Sequence, residues 1–346
     1  MNNAIFLLTD KPIIIERLHI CTWDLHGKGA IEIGIEFDLQ EKQNQASKVE
    51  FLLSLPFLSK GDNVSCLART LLTENGANCK FIFNDTVKKV NSIGDSPANG
   101  GVVEFKGRTP LAILPIICLP IEEGKCVFTV ENLDKISVDM PIAKAYIRIL
   151  IETQLEKFVV VHSGITKNSY LYDLKINEMR NIPDAINHCI NHGQYICETI
   201  RSCFCMHVVP SNYYLTYADS NKLKNTRILE SEAFNRYQPK LHTEDNEYLI
   251  LFQKDQRPDN PNKTDCDSYS FFTEFEKERI GNEQIFASMV INLLCSFVIA
   301  LATTNEVTRN TVWYANWAFW SILGLIISLV LYLTYPQWRG RLKRGK

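Results

Sequence analysis

Seven histidine and cysteine side chains fall within one short segment and form the densest group of potential metal ligands. They are His188, Cys189, His192, Cys197, Cys203, Cys205 and His207. Imidazole and thiolate are the usual ligands of zinc. Alternation predicts that Cys203, Cys205 and His207 share one face of a strand, although no C-x2-C pair accompanies them. A zinc site at these three residues is therefore one hypothesis, and buried cysteines with surface histidines are the alternative.

A second candidate for chemistry is His162, which follows an apolar stretch and precedes Ser163 and Gly164. A histidine at the end of a buried strand can serve as the base for a cysteine or serine nucleophile. The sequence has no G-x-S-x-G motif and no recognisable nucleophile to accompany it. The alternative is a polar residue at the rim of a strand.

Other common sites are not indicated by the sequence. It contains no G-x-x-x-x-G-K-[ST], G-x-G-x-x-G or H-E-x-x-H motif. The net charge is -2, and the five cations between Arg339 and Lys346 leave -7 on the preceding residues. A mildly acidic chain argues against a broad nucleic-acid-binding surface.

The elements that would position these residues are predicted to be mostly strands in residues 1–180. In Ile31–Leu39 the apolar residues alternate with Glu32, Gly34, Glu36 and Asp38, which is typical of an antiparallel strand with one solvent-exposed face. Further strands, one of them at Cys79–Phe83, are separated by turn-rich segments, and this spacing favours an antiparallel β-sandwich or a small barrel. The predicted fold class is therefore α+β and β-rich.

The residues after 180 are predicted to contain more helix and a polar linker. Residues 181–254 are predicted to form a smaller α+β portion that begins with a helix of about five turns after Pro183. A polar linker follows at 255–268, and a charged helix at 269–284.

Two apolar runs near the C-terminus predict a transmembrane hairpin. Ile285–Thr303 and Trp317–Tyr335 are each 19 residues long and contain no charged residue. At about 1.5 Å per residue, each would span a bilayer as a helix. The basic tail at 336–346 and the lack of a signal peptide predict a multi-pass membrane protein with both termini cytoplasmic, which in a bacterium would be in the inner membrane.

A stripe of small and polar residues is predicted to form the contact face of this hairpin. Its members are Ser288, Asn292, Ser296 and Ala300 in the first run and Ser321, Gly324 and Ser328 in the second. Small residues allow close helix packing. The stripe is interpreted as packing between the two runs or between protomers around a shared axis or pore.

Two classes of function are consistent with these features. The first is a membrane-anchored binding, sensing or scaffold protein, with the bilayer and a homo-oligomer or protein partner as its contacts. In broad layout this is similar to bacterial membrane-disrupting defence effectors, and that similarity implies an oligomeric effector acting through the hairpin. The second is a membrane-anchored hydrolase with a Cys/Ser-His site. The first is favoured because no catalytic constellation is recognisable.

Overall fold

A computed structural model of the chain describes most residues up to Thr304 and a few beyond it. The described residues are 4–25, 28–38, 47–94, 97–131, 133, 136, 144–164, 166–239, 243–256, 268–279, 282–304, 320, 323–324 and 327. The chain divides into two compact units. The first comprises Met1–Gly164 and Asn168–Lys277, and the second comprises Ile165–Lys167 and Glu278–Lys346.

The first unit is built mainly of strands. In chain order they are β1 (Ala4–Thr9), β2 (Ile15–Leu25), β3 (Lys28–Asp38), β4 (Val49–Ser54), β5 (Asn63–Cys66), β6 (Val87–Ser92), β7 (Gly101–Phe105), β8 (Leu111–Ile113), β9 (Ile116–Cys118), β10 (Lys125–Val130), β11 (Lys144–Gln154), β12 (Val160–Ser163), β13 (Lys167–Ile176), β14 (Ile196–Cys197), β15 (Ile200–Pro210), β16 (Tyr213–Ala218), β17 (Leu223–Ile228), β18 (Tyr248–Gln256) and β19 (Tyr269–Glu278). The described α-helices of the first unit are α1 (Ala68–Phe83), α2 (Asp184–Asn191) and α3 (Ser231–Tyr237), and the second unit contains α4 (Asn282–Thr304).

These strands form two sheets in the described part of the chain. The first sheet has the order β16-β19-β13-β1-β4-β10-β9, with β12 beside β13 and β14 beside β1. The second has the order β17-β18-β15-β2-β3-β11-β8-β7-β6, with β5 beside β11. A common core of buried apolar residues from both sheets, including Ile33 and Ile147 of the second and Phe51 and Phe128 of the first, packs between them.

The sheets are mixed, so the prediction of an antiparallel sandwich or barrel is wrong on this point, whereas the β-rich character is confirmed. Strands β1 and β13 pair in parallel, as do β2 and β15, and β8 and β11. Each of these pairs joins segments that are distant in the sequence. Alternation of apolar residues identifies the buried face of a strand but not its partner, so it could not predict these pairings.

Helices cover parts of the outer faces of both sheets. Ile186 of α2 packs against Phe6, Leu8 and Leu52 on the first sheet. Residues of α1 and α3 pack with side chains of β2, β11 and β15 on the outer face of the second sheet. α1 ends where Asn84 adopts the left-handed conformation with φ 49°.

This helical layer corrects the prediction for β3. Ile31, Ile33, Ile35 and Phe37 lie in the common core as expected. Most of the opposite face is also buried, since Glu32 and Glu36 are each only 1% exposed, although Asp38 at the end of the strand is partly exposed. The two faces of β3 are therefore assigned correctly, but Glu32 and Glu36 contact buried side chains instead of water.

Three local predictions were also wrong. The helix expected after Pro183 is only α2, because Gly193, with φ 64°, follows it and a strand begins at Ile196. The segment expected to form a charged helix at 269–284 is strand β19 as far as Glu278, since Phe271 and Phe275 alternate inward. Cys79–Phe83, expected to be a strand, is the last part of α1.

The predicted transmembrane hairpin is contradicted. Of the two runs, Ile285–Thr303 lies within α4, whereas most of Trp317–Tyr335 lies outside the described residues. Among the residues that the structure describes, no helix combines the length and the apolarity needed to cross a bilayer. The predictions of two spans, of a membrane localisation and of a multi-pass topology are therefore not supported. A hairpin requires two continuous apolar helices, each long enough to cross the bilayer, and the described residues do not provide them.

The predicted contact stripe lies only partly within the described residues. Ser288, Asn292 and Ser296 are on α4, where the Ser288 hydroxyl donates to the carbonyl of Gln284 and the Ser296 hydroxyl donates to that of Asn292. Ala300 belongs to the same helix, and Gly324 is helical. Ser321 and Ser328 lie outside the described residues.

Gly34 on β3 is required by close packing. A Cβ at this position would lie 2.0 Å from the Tyr146 hydroxyl and 3.2 Å from Nη1 of Arg148. We expect Gly34→Ala to lower the free energy of unfolding by about 1–3 kcal/mol, because overpacking displaces buried neighbours. Urea unfolding measures the loss. Gly61→Ala is the control, since a Cβ there has no neighbour within 4 Å. Equal stability of Gly34→Ala and Gly61→Ala would contradict the packing.

Candidate ligand-binding cavity

The outer face of the second sheet contains a buried ion pair between Arg148 of β11 and Glu32 of β3. Both side chains are at most 1% exposed. Nε of Arg148 donates to Oε2 of Glu32 at 2.8 Å, and Nη2 donates to the same oxygen. A buried charge pair is tolerated only when its remaining hydrogen-bonding groups are also satisfied.

Three further side chains form hydrogen bonds with the pair and satisfy part of this requirement. Tyr237 of α3 accepts from Nε of Arg148 at 2.9 Å and donates to Oε2 of Glu32 at 3.1 Å. Gln238 donates to Oε1 of Glu32 at 3.2 Å. Tyr146 accepts from Nη1 of Arg148 at 2.9 Å. The ion pair thus connects β3, β11 and the end of α3.

His19 extends this network across β2. Its Nδ1 lies 3.2 Å from the Tyr146 hydroxyl. Burial, reinforced by the positive charge of Arg148, holds the pKa of His19 well below its usual value. The neutral ring can therefore accept a hydrogen bond from the Tyr146 hydroxyl, which itself accepts one from Arg148. His19 thus joins β2 to the hydrogen-bond network of the ion pair.

A second buried carboxylate, Glu36, lies further along β3. Arg108 donates to its Oε2 at 2.8 Å, and Arg17 and Lys144 each approach Oε1 at 3.9 Å. The Arg108 guanidinium also lies over the ring of Phe83 at 4.8 Å. Both carboxylates of β3 are thus neutralised by arginine, and neither is arranged as a free acid or base.

Beside the Arg148–Glu32 pair is a cavity of about 330 Å³, which we call the α1–β17 cavity. It lies on the outer face of the second sheet, between the C-terminal end of α1 and strand β17. Its lining consists of Cys21, Trp23, Phe81, Ile82, Asn84, Arg148, Met206, Val208, Lys224, Asn225, Arg227, Ile250 and Phe252. The buried members are mostly apolar, and the exposed members are polar or basic.

The floor of the α1–β17 cavity follows from strand register. Met206 of β15 lies opposite Cys21 of β2 and Phe252 of β18. In the next row Val208 lies between Trp23 and Ile250. Since residues at i and i+2 share a face, these two rows form one apolar surface. The floor therefore crosses the parallel pair that joins β2 to β15.

The exposed side of the cavity is formed by β17, where the register shifts between Leu223 and Asn225. Leu223 packs against the common core, whereas Lys224 and Asn225 both line the cavity. Such a bulge changes the direction of a side chain relative to regular alternation. Arg227, also exposed, pairs with Glu230 at 3.0 Å. Lys224 has no ion-pair partner among the described residues.

The structure places Cys203, Cys205 and His207 together on the inner face of β15. Sγ of Cys205 is 3.5 Å from Nε2 of His207, and Nδ1 of His207 is 2.7 Å from the Thr22 hydroxyl. Burial raises the pKa of both thiols and lowers that of His207 to about 3. Among the described residues no group of three or more histidine, cysteine or acidic side chains is arranged to hold a metal ion.

His162, the candidate base, lies on β12 opposite Ser169 of β13 and is exposed. Its neighbours in sequence, Val161 and Ser163, are exposed as well.

The other predicted ligands are also separated. His188 and His192 stack on each other at α2, with ring centroids 3.8 Å apart, while Cys197 of β14 is disulfide-bonded. The predicted candidates thus lie on β15, β12, α2 and β14, and the structure does not bring them together at one site.

The residues of the α1–β17 cavity were not identified from the sequence. Lys224 and Arg227 belong to a segment without a recognisable motif. Arg148 lies in a strand whose neighbouring residues are almost all apolar. One available signal was Arg148 itself, a single arginine inside a hydrophobic strand, since a buried charge requires a partner and Glu32 was the kind of residue that could supply it.

We expect Arg148→Met to lower the free energy of unfolding by about 3–5 kcal/mol, because it leaves Glu32 buried without its cation. Arg227→Met is the matched control. It removes an exposed arginine that pairs with Glu230 and should change the stability by about 1 kcal/mol or less. Urea unfolding at neutral pH compares the two variants. Similar losses would show that the buried pair has no special contribution.

His207 should make the stability dependent on pH below its usual pKa. The unfolded chain binds a proton near pH 6.5, whereas the folded protein resists protonation down to about pH 3. The contribution of this group is therefore complete above about pH 6.5 and is lost as the pH falls, at up to about 1.4 kcal/mol per unit. In His207→Phe the difference between unfolding free energies at pH 6.5 and pH 5 should shrink accordingly. The packing cost of the substitution cancels in that difference, and an unchanged difference would contradict the assignment.

No protein-family model matches this chain, and no curated protein sequence is similar to it.

Proposed function

We propose that this protein is a binding or sensing module whose α1–β17 cavity binds a small organic anion with an aromatic body. The single observation that carries the proposal is the combination in one cavity of an apolar, aromatic floor with two exposed cations at its edge. Homo-oligomerisation or a protein partner, as inferred from the sequence, would be compatible with this role and remains a prediction.

The size and lining of the cavity support a small ligand. Its volume of about 330 Å³ is at the lower end of the range for small-molecule sites, which are mostly apolar with a few polar groups. Trp23, Phe81 and Phe252 provide aromatic surface for a flat ring. An aliphatic ligand would use less of this surface, so an aromatic body is favoured.

The charges at the edge support an anion. Lys224 and Arg227 contribute two positive charges, and Glu230 offsets part of the second. The C-terminal end of α1 opposes an anion, but a helix end carries only about half an elementary charge. Arg148 adds no net charge, because Glu32 neutralises it. The net charge at the exposed edge of the cavity is therefore positive.

Anilinonaphthalene sulfonate, an aromatic monoanion, is a direct probe of this site. We expect saturable binding to the folded protein, measured by fluorescence titration at low ionic strength. The double variant Lys224→Met/Arg227→Met should weaken the affinity about tenfold, since each partly exposed cation contributes about 0.5–1 kcal/mol.

Lys60→Met is the matched control, because Lys60 is an exposed lysine that does not line the cavity. It should leave the affinity unchanged. The melting temperature of each variant establishes that the titrations compare folded proteins. The proposal fails if the folded wild-type protein shows no saturable binding, or if the double variant binds as tightly as the control.

A further inference from the structure

Trp23, a residue of the α1–β17 cavity lining, carries a buried hydrogen-bond donor without an acceptor among the described residues. Trp23 is 3% exposed, and its indole Nε1 has no hydrogen-bond partner among the described residues. Its ring packs against Phe234 of α3, with centroids 4.8 Å apart, so its position is fixed by the core. Buried N–H groups in folded proteins almost always have an acceptor. The unpartnered indole N–H therefore marks a place for an oxygen atom of a ligand.

Arg148 provides further donors in the same cavity. A guanidinium has five N–H groups. Nε of Arg148 is shared between Glu32 and Tyr237, Nη1 donates to Tyr146, and Nη2 donates to Glu32. Each terminal nitrogen thus retains one N–H without an acceptor among the described residues. The ion pair neutralises the charge of Arg148 but does not use all of its hydrogen-bonding capacity.

The other polar groups of the buried lining do not add a strong hydrogen-bond acceptor to these donors. Burial raises the pKa of Cys21 well above its usual value, so its sulfur remains a thiol with a weak S–H donor. Met206 contributes only a weak thioether acceptor. The lining amides with strong acceptors, Asn84 and Asn225, are exposed. The buried end of the cavity therefore presents donors, and the exposed edge presents cations.

We infer that the ligand is an aromatic anion that carries a ring carbonyl, with its carbonyl oxygen bound at Trp23 and Arg148 and its anionic group at Lys224 and Arg227. This inference rests on the proposed function and adds both the orientation of the ligand and its chemical class. A neutral oxygen suits the buried end, because Glu32 already balances the charge of Arg148 and a second anion there would be uncompensated. A ring amine at the same position would face donors only, and its own N–H groups would remain unpaired.

Two purine nucleotides test this preference directly. Inosine monophosphate carries a ring carbonyl where adenosine monophosphate carries an amine, and the two share the same sugar and phosphate. Isothermal titration of the wild-type protein should show that the inosine nucleotide binds about tenfold more tightly, because the amine leaves buried donors unsatisfied. Displacement of anilinonaphthalene sulfonate by the bound nucleotide establishes that both occupy the α1–β17 cavity.

Two variants assign the discrimination to the buried donors. Trp23→Phe keeps an aromatic ring beside Phe234 but removes the indole N–H, so the affinity ratio should fall to about threefold or less. Glu32→Leu/Arg148→Met removes the second donor group together with its counter-charge and leaves no unpaired ion. It should also reduce the ratio. Melting temperatures identify the folded variants, and the wild-type ratio decides the inference by itself if neither variant folds.

The outcomes separate this inference from the proposed function. Equal affinities, tighter binding of the adenosine nucleotide, or no binding of either nucleotide would overturn the carbonyl preference. In each case the proposed function would still stand if anilinonaphthalene sulfonate bound in a manner dependent on Lys224 and Arg227. A tenfold preference that persists unchanged in both folded variants would overturn the assignment to Trp23 and Arg148.

Discussion

The buried ion pair between Arg148 and Glu32 determines how the second sheet is covered. Removing two charges from water costs several kcal/mol for each ion, and the cost is offset only by good geometry and additional hydrogen bonds. Tyr146 comes from the sheet itself, whereas Tyr237 and Gln238 come from the end of α3. The pair therefore requires that α3 lie over β3 and β11. Without this cover the carboxylate of Glu32 would lose two of its hydrogen-bond donors.

The cavity is a consequence of where this cover ends. α1 and α3 pack over β2, β3 and β11, but α1 ends at Phe83 and does not continue to the edge strand β17. The apolar row of Trp23, Val208 and Ile250 lies between the end of α1 and β17, where the helices cover it only in part. The bulge in β17 directs Lys224 and Asn225 toward this gap, so its margin is polar while its floor is apolar. A site with an apolar interior and a charged margin is thus produced by an incomplete helical layer.

The sequence correctly predicted which residues share a face of a strand, but it did not predict what covers that face. Alternation in Ile31–Leu39 correctly identified Ile33 and Ile35 as core residues, but it also placed Glu32 in solvent. The error arose because alternation along one strand does not show what covers each face: Glu32 is covered by Tyr237 and Gln238 at the end of α3. Similarly, Cys203, Cys205 and His207 do share one face, but burial keeps the thiols protonated and the imidazole neutral. Periodicity reports which residues share a face, whereas the chemistry of a group depends on what covers that face.

The pairing of strands explains why the site itself could not be predicted. β1 leads through the hairpin of β2 and β3 to β4, and β13 leads through strands of both sheets, including β15 and β18 of the second, to β19, so that each path begins and ends in the first sheet. The two paths meet at the parallel pairs β1–β13 and β2–β15. The floor of the α1–β17 cavity crosses the second of these junctions, with Trp23 on one path and Val208 and Ile250 on the other. No local pattern in either path specifies that junction. Because the cavity requires both paths to be paired, a ligand that binds there binds only the folded protein. Its binding free energy therefore adds directly to the stability of the contact between the two halves of the sheet.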